Sequence, residues 1–289
     1  GDARIDRRAM KEWPAPFAAC RRSRGFALII VLWTLVLIAF IVLHLTASGR
    51  TEIRIAGNLV DNAVTAAAAD GAIAEAIFNL SNPRPDQRWR LDGSAHPLTI
   101  GGSRVIVRLE DEAARINPNL ASPVLLEALL RAVGSAPETA RSLAAAIGDW
   151  VGSSDTPAPQ AALLAEYRAA GLDYGPPGSP LETLGELGRV LGMTPALLAK
   201  LRPHLTLFGP AEPDPSAADP VVAAALAQIS AQDQGTLPVN AEPADLLTVR
   251  IIAAALGPGN ARVSRTAIVR VGSSLPEGYV VLAWGNRVD

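Results

Sequence analysis

From Phe26 to Leu45 the chain reads FALIIVLWTLVLIAFIVLHL, an apolar run interrupted only by Thr34 and His44. About twenty residues at a rise of roughly 1.5 Å each cross the ~30 Å hydrocarbon core of a bilayer. The run therefore predicts a membrane-spanning helix. Beyond it, Ala47 to Leu80 keeps a helical composition, rich in alanine, with Asp61, Asp70 and Glu75 among apolar positions and no proline before Pro83. We read one long helix from Phe26 to about Asn79, embedded first and amphipathic later. Gly49, Gly57 and Gly71 lower its local stability by about 1 kcal/mol each relative to alanine and are candidate bend points.

The pattern then changes period. After the turn-rich SNPRPDQRW, Pro97 to Ile100 and Ser103 to Glu110 alternate apolar with polar residues around Gly101-Gly102, which predicts a β-hairpin. From Asp111 the sequence turns helical again. Asn119 or Ser122 suits the N-cap of the first helix, and Thr194-Pro195 marks another helix start. Gly209 to Pro220 reads as a linker. Pro238 to Glu242, followed by Ala244 to Leu256 and Gly257-Pro258-Gly259, echoes the stretch that begins at Ile116-Asn117. That echo predicts a second helix-hairpin-helix-like unit. Val263 to Val271 and Tyr279 to Trp284, joined by a turn from Gly272 to Gly278, read as a second hairpin. The expected class is α+β, with a small antiparallel sheet split in sequence by a large helical insertion.

Composition narrows the function. Hydrophobic residues make up 49% of the 289 and charged residues 19%, with a mean hydropathy of +0.23. The anchor and the alanine-rich helices account for this. A formal charge of −2 and pI near 6.0 give no global attraction to nucleic acid. Cys20 stands alone, so an internal disulfide and a multi-cysteine zinc site are excluded. His44, His96 and His204 have no partners at nucleophile, base or zinc-ligand spacing, and no nucleotide or hydrolase motif is present. No enzyme is expected.

The junction before the apolar run is more informative. Arg4, Arg7, Arg8, Lys11, Arg21, Arg22 and Arg24 outweigh Asp2, Asp6 and Glu12, so this end stays cytoplasmic and the rest faces the periplasm. Arg22-Ser23-Arg24-Gly25-Phe26 resembles the type IV prepilin cleavage site, at which a peptidase cuts after the glycine and methylates the new amine. Gly25 and an N-methylated Phe26 are the implied site residues. Loss of a leader with four net positive charges would leave a mature charge of about −6. Most pilins carry a glutamate as the fifth mature residue, but here that position is Ile30. An ionisable group inside hydrocarbon is costly unless paired, so its absence suits a subunit with no partner amine to neutralise.

Together with the acidic pair Asp111-Glu112, Ile116-Asn117-Pro118-Asn119 and Leu181-Glu182-Thr183-Leu184-Gly185-Glu186-Leu187, these features resemble the K-type minor pseudopilin family of type II secretion (general secretion pathway protein K) over almost the whole chain. The resemblance implies a division into a prepilin leader (1–25), the transmembrane half of the helix (26–46), and the amphipathic helix with the first strands (47–110). A SAM-like helical domain (111–208), a linker with the second helix-hairpin-helix-like unit (209–260), and closing strands (261–289) follow. It further implies a single-pass inner-membrane protein at the pseudopilus tip, which nucleates or caps assembly for protein export. Its implied partners are the I- and J-type minor pseudopilins, the major pseudopilin, the prepilin peptidase, the inner-membrane assembly platform and secreted cargo.

Asp149, Asp155, Glu166 and Asp173 form the one cluster suited to a hard cation, and the family resemblance implies calcium there. Gly152 and the neutral Gln160 to Leu164 replace acidic positions of the family pattern, which lowers the expected affinity. Trp150 is read as core. The alternative to the secretion reading is a membrane-anchored DNA-binding protein. It rests on the Leu256-to-Ala261 turn with Arg250, Arg262 and Arg265 nearby; the mixed or acidic charge of the other units argues against it.

Overall fold

Helix α1 runs from Ser23 to Leu80 in the computed structural model, which describes residues 23–82, 84–153, 159–232 and 246–286. The leader up to Arg22 and the turn at 238–243 lie outside the described residues. The chain divides into two compact units, Gly1–Asn58 and Leu59–Asp289.

The first unit contains the apolar part of α1. Gly25–His44 is long and apolar enough to cross a membrane, and its side chains from Gly25 onward are exposed. Its one mid-span hydroxyl is satisfied within the helix, Thr34 Oγ1 donating to the Ile30 carbonyl at 2.7 Å. Hydrocarbon demands this, because no water is available to take the bond.

In the second unit α1 packs on a five-stranded antiparallel sheet, β1 (His96–Ile100), β2 (Ser103–Asp111), β3 (Leu247–Leu256), β4 (Arg262–Val271) and β5 (Tyr279–Gly285), in that spatial order. The two-residue alternation of β2 sends Val105, Val107 and Leu109 to one face, opposite Ala255, Ala253 and Ile251 of β3. These meet Ala68, Ala69, Ala72, Ile73, Ala76 and Leu80 of α1 in one buried cluster. Alanine on both surfaces lets helix and sheet approach closely.

Residues 244–256, expected as a helix of a second helix-hairpin-helix-like unit, instead contain β3. The apparent binding turn is the β3–β4 hairpin, closed by Gly257 N–H to the Ala261 carbonyl at 2.9 Å. A Cβ on Gly257 would lie 1.9 Å from Thr65 Oγ1, so glycine is needed for the hairpin to sit on α1. Gly257→Ala therefore overpacks this contact and destabilises by about 1–3 kcal/mol. Thermal unfolding of the full chain in detergent checks this, with Gly57→Ala as a control at a helical position of α1 where nothing lies within 4 Å.

The helical region enters between β2 and β3. Its helices are α2 (Pro123–Ala132), α3 (Pro137–Val151), α4 (Gln160–Ala169), α5 (Pro195–Leu201) and α6 (Pro220–Gln232). Ser122 caps α2 by accepting from Leu125 N–H, and Thr194 caps α5 by accepting from Leu197 N–H, each at 3.2 Å. Asn119 does not cap; it clasps Leu181 through both backbone groups, at 2.7 and 3.1 Å. Leu129, Leu143, Ile147, Trp150, Leu187 and Leu201 form the core, together with Val222 and Ile229 of α6. The helical core thus reaches past residue 208, where the sequence placed a linker. The stretch before α6 is tied down by Asp214 N–H to the Ala113 carbonyl at 2.8 Å.

Candidate functional site

The start of the helical region and the segment that follows α5 meet the sheet at one neck. β2 ends at Asp111, whose carboxylate accepts from Ala113 N–H at 2.8 Å and opens a 3-10 turn over Glu112–Ala114. That turn drives Glu112 inward, where it is fully buried. Its Oε1 accepts from Arg115 Nη1 at 3.1 Å and from Arg250 Nε of β3 at 2.5 Å, while its Oε2 accepts a hydrogen bond from the Thr206 hydroxyl. Arg115 also pairs with Glu110 and donates to the Pro203 carbonyl at 3.2 Å. Two carboxylates thus face two guanidiniums in the only arrangement that makes a buried charge tolerable, paired and hydrogen-bonded.

The backbone follows the same line. Ile116 N–H donates to the His204 carbonyl and Thr206 N–H to the Ile116 carbonyl, both at 2.9 Å, forming a parallel bridge, and Asn117 Nδ2 donates to the Gly209 carbonyl at 2.9 Å. Asp111 lies in this crowd with its pKa raised, first by burial and then by the charges of Asp214 and Glu112, against the bond from Ala113. Nearby, His204 Nδ1 lies 2.7 Å from Asp219, which also accepts from the first amides of α6. Burial would raise the Asp219 pKa, but the bonds from His204, Val222 and Val221 together hold it below the ordinary value.

The sequence pointed to the acidic pair but not to this neck. Arg250 had entered only the DNA reading, because its partner Glu112 lies 138 residues away. The available signal was a lone arginine inside the apolar run LTVRIIAAAL.

Of the expected site residues, Gly25, Phe26 and Ile30 lie on α1, with Phe26 68% and Ile30 51% exposed. The expected junction thus sits in the first turn of the helix. Asp149 is half-buried on α3, while Glu166 and Asp173 are exposed. Asp155 lies outside the described residues. Among the described residues no three acidic, histidine or cysteine side chains converge as a metal site. The Asp149-Trp150 motif has a packing role, since Trp150 is buried with its ring 6.3 Å from Tyr167 and 6.4 Å from Tyr174. Gly152, at a position the family pattern makes acidic, caps α3 with φ of 74°, and its Cβ would lie 2.7 Å from the Gly178 carbonyl oxygen.

One further surface stands out on the part of α1 in the second unit. Val60, Val64, Ala67, Gly71, Ala74 and Phe78 recur at spacings of four and three on the face opposite the buried cluster, where Gly71 meets the sheet at Ile100 of β1. Gly71 is half-covered beside Ile100 and the others are exposed, Val60 by 61% and Phe78 by 77%. This spacing is that of a helix–helix seam.

Residues 106–210, which include Glu112, Arg115 and Thr206 of the neck and most of the helical core, match the family model described as type II secretion system protein K. No curated protein sequence matches the chain. Among solved structures, a chain of the GspK-GspI-GspJ complex from the enterotoxigenic Escherichia coli type 2 secretion system shares the fold. Its TM-score is 0.54 at 16% identity, over 82% of this chain and 98% of that one. A helix on a sheet that is split by a region matching the protein K model is the arrangement expected from the sequence, and it is the fold that this chain shares with the solved chain of the GspK-GspI-GspJ complex.

Proposed function

We propose that this chain is an assembly subunit at the tip of a type II secretion pseudopilus, where it nucleates or caps the filament for protein export across the outer membrane. The protein K domain at 106–210, inserted between β2 and β3, is the observation that carries the reading. A pilin-like subunit adds to a filament by laying its helix beside others, and the exposed seam from Val60 to Phe78 offers the surface for that. The similar solved chain belongs to a GspK-GspI-GspJ complex, so I- and J-type minor pseudopilins are the partners proposed here. The inner-membrane platform and the major pseudopilin lie below them. The cationic leader keeps its end in the cytoplasm, and the second unit faces the periplasm.

Cleavage between Gly25 and Phe26 belongs to the same reading. Gly25 weakens the first turn by about 1 kcal/mol relative to alanine and eases its unwinding into a peptidase cleft. Ile30 in place of glutamate leaves no carboxylate to neutralise the terminal amine of a subunit above, as suits a leading position. Intact mass and N-terminal sequencing of the membrane-extracted protein, with and without prepilin peptidase, test the proposal. The expected product is a chain that begins at N-methylated Phe26 only when the peptidase is present. An uncut chain, or cleavage near Gly49, would overturn it.

A further inference from the structure

The arginines of the sheet divide into those with a partner and those without. Arg250 is held by Glu112, Arg265 by Asp70 at 3.1 Å, Arg270 by Thr248 at 3.1 Å, and Arg108 by the Gly93 carbonyl at 2.9 Å. Arg104 and Arg262 are exposed and have no partner among the described residues. Both flank one residue, because Arg104 of β2 and Arg262 of β4 each stand opposite Leu256 of β3. Side chains directly opposite share a face, here the one turned away from α1, since the adjacent Val105 and Ala255 are buried under the helix.

Next to this row the same face carries Pro97, Ile106 and Ala254. They line, with the arginines and Leu256, a groove of about 830 Å³ in which Ile106 remains 45% exposed. An apolar floor with two unpaired cations on its rim is complementary to an apolar segment that brings two carboxylates.

The spacing selects the shape of that segment. Two strand intervals separate the arginines, about 10 Å, and seven residues of helix rise about 10.5 Å. We infer that the groove receives a helix of a partner subunit, laid across the strands, with acidic residues at i and i+7 and apolar residues at i+3 and i+4. Nucleic acid is a poorer fit, because two cations over an apolar floor release few counterions. This inference rests on the assembly reading and adds a second contact surface to the seam on α1.

The test uses the full chain, co-expressed with its I- and J-type partners and extracted in detergent, with the photo-cross-linker p-benzoylphenylalanine in place of Ile106 or, separately, of Ala67 in the seam. The expected result is an Ile106 adduct whose mapped peptide is a partner helix with acids seven residues apart. R104E with R262E then lowers co-purification at least tenfold in low salt, and arginine at the two mapped acids restores it. If Ala67 gives partner adducts but Ile106 gives none and the double reversal is neutral, the groove inference falls while the assembly reading stands. If neither position gives a partner adduct, both fall. An Ile106 adduct to a second copy of this chain, to lipid or to nucleic acid overturns the inference.

Discussion

Glu112→Ala lowers the stability of the full chain by about 3–5 kcal/mol, because it strands Arg115 and Arg250 at a neck built around one buried carboxylate. For a unit as large as Leu59–Asp289, each kcal/mol is worth about 2–4 °C, so the melting temperature falls by roughly 10 °C. The loss exceeds that of an ordinary ion pair because three segments converge on the same side chain: Arg115 after β2, Thr206 after α5, and Arg250 on β3. Glu112→Gln keeps the shape and the acceptor oxygen and loses less. Glu110→Ala removes a carboxylate that is 31% exposed and has one partner, and should cost about 1 kcal/mol or less. Thermal unfolding of the three variants, with limited proteolysis of the helical region, separates these outcomes. Equal melting temperatures for Glu112→Ala and Glu110→Ala would show that the neck does not hold the helical region to the sheet.

Why this neck escaped the sequence, while the helix and the first hairpin did not, follows from range. The apolar run at 26–45 and the alternation around Gly101-Gly102 are local patterns, and α1, β1 and β2 appear where those patterns place them. β3 was misread for a tertiary reason. Ala253 and Ala255 favour helix by intrinsic propensity, yet they lie between β2 and β4, where pairing on both sides and an alanine-rich α1 above select small residues in a strand. Context of this kind overrides propensity in central strands. The glycines of the β3–β4 turn misled in the same way, since close approach to Thr65 requires at Gly257 the residue that a backbone-binding turn would also require. The readings of Gly25-Phe26 and Ile30 depend on order along the chain alone, and no contact in the fold bears on them. The cation cluster was legible only as composition, and the fold does not gather its described members into a site.

Ala67→Glu and Ala74→Glu separate folding from assembly, and their expected effect on function is the largest of any substitution here. Both alanines are exposed on α1 on the face opposite the buried cluster, and glutamate is a good helix former. The stability of the isolated chain should therefore change by no more than about 0.5 kcal/mol. In a packed seam the same change buries an unpaired carboxylate against apolar neighbours, which is disfavoured by several kcal/mol. A cost of about 3 kcal/mol reduces association by more than a hundredfold. The expected phenotype is a chain that is processed, stable and membrane-bound, but that no longer co-purifies with its partners and no longer supports secretion. Phe78→Ala probes the same seam by truncation. Phe78 is 77% exposed in the free chain, so its removal leaves folding intact and weakens only an interface that covers it. Secretion and partner co-purification at wild-type levels in all three variants would mean that this face of α1 remains uncovered in the working assembly, and would overturn the seam.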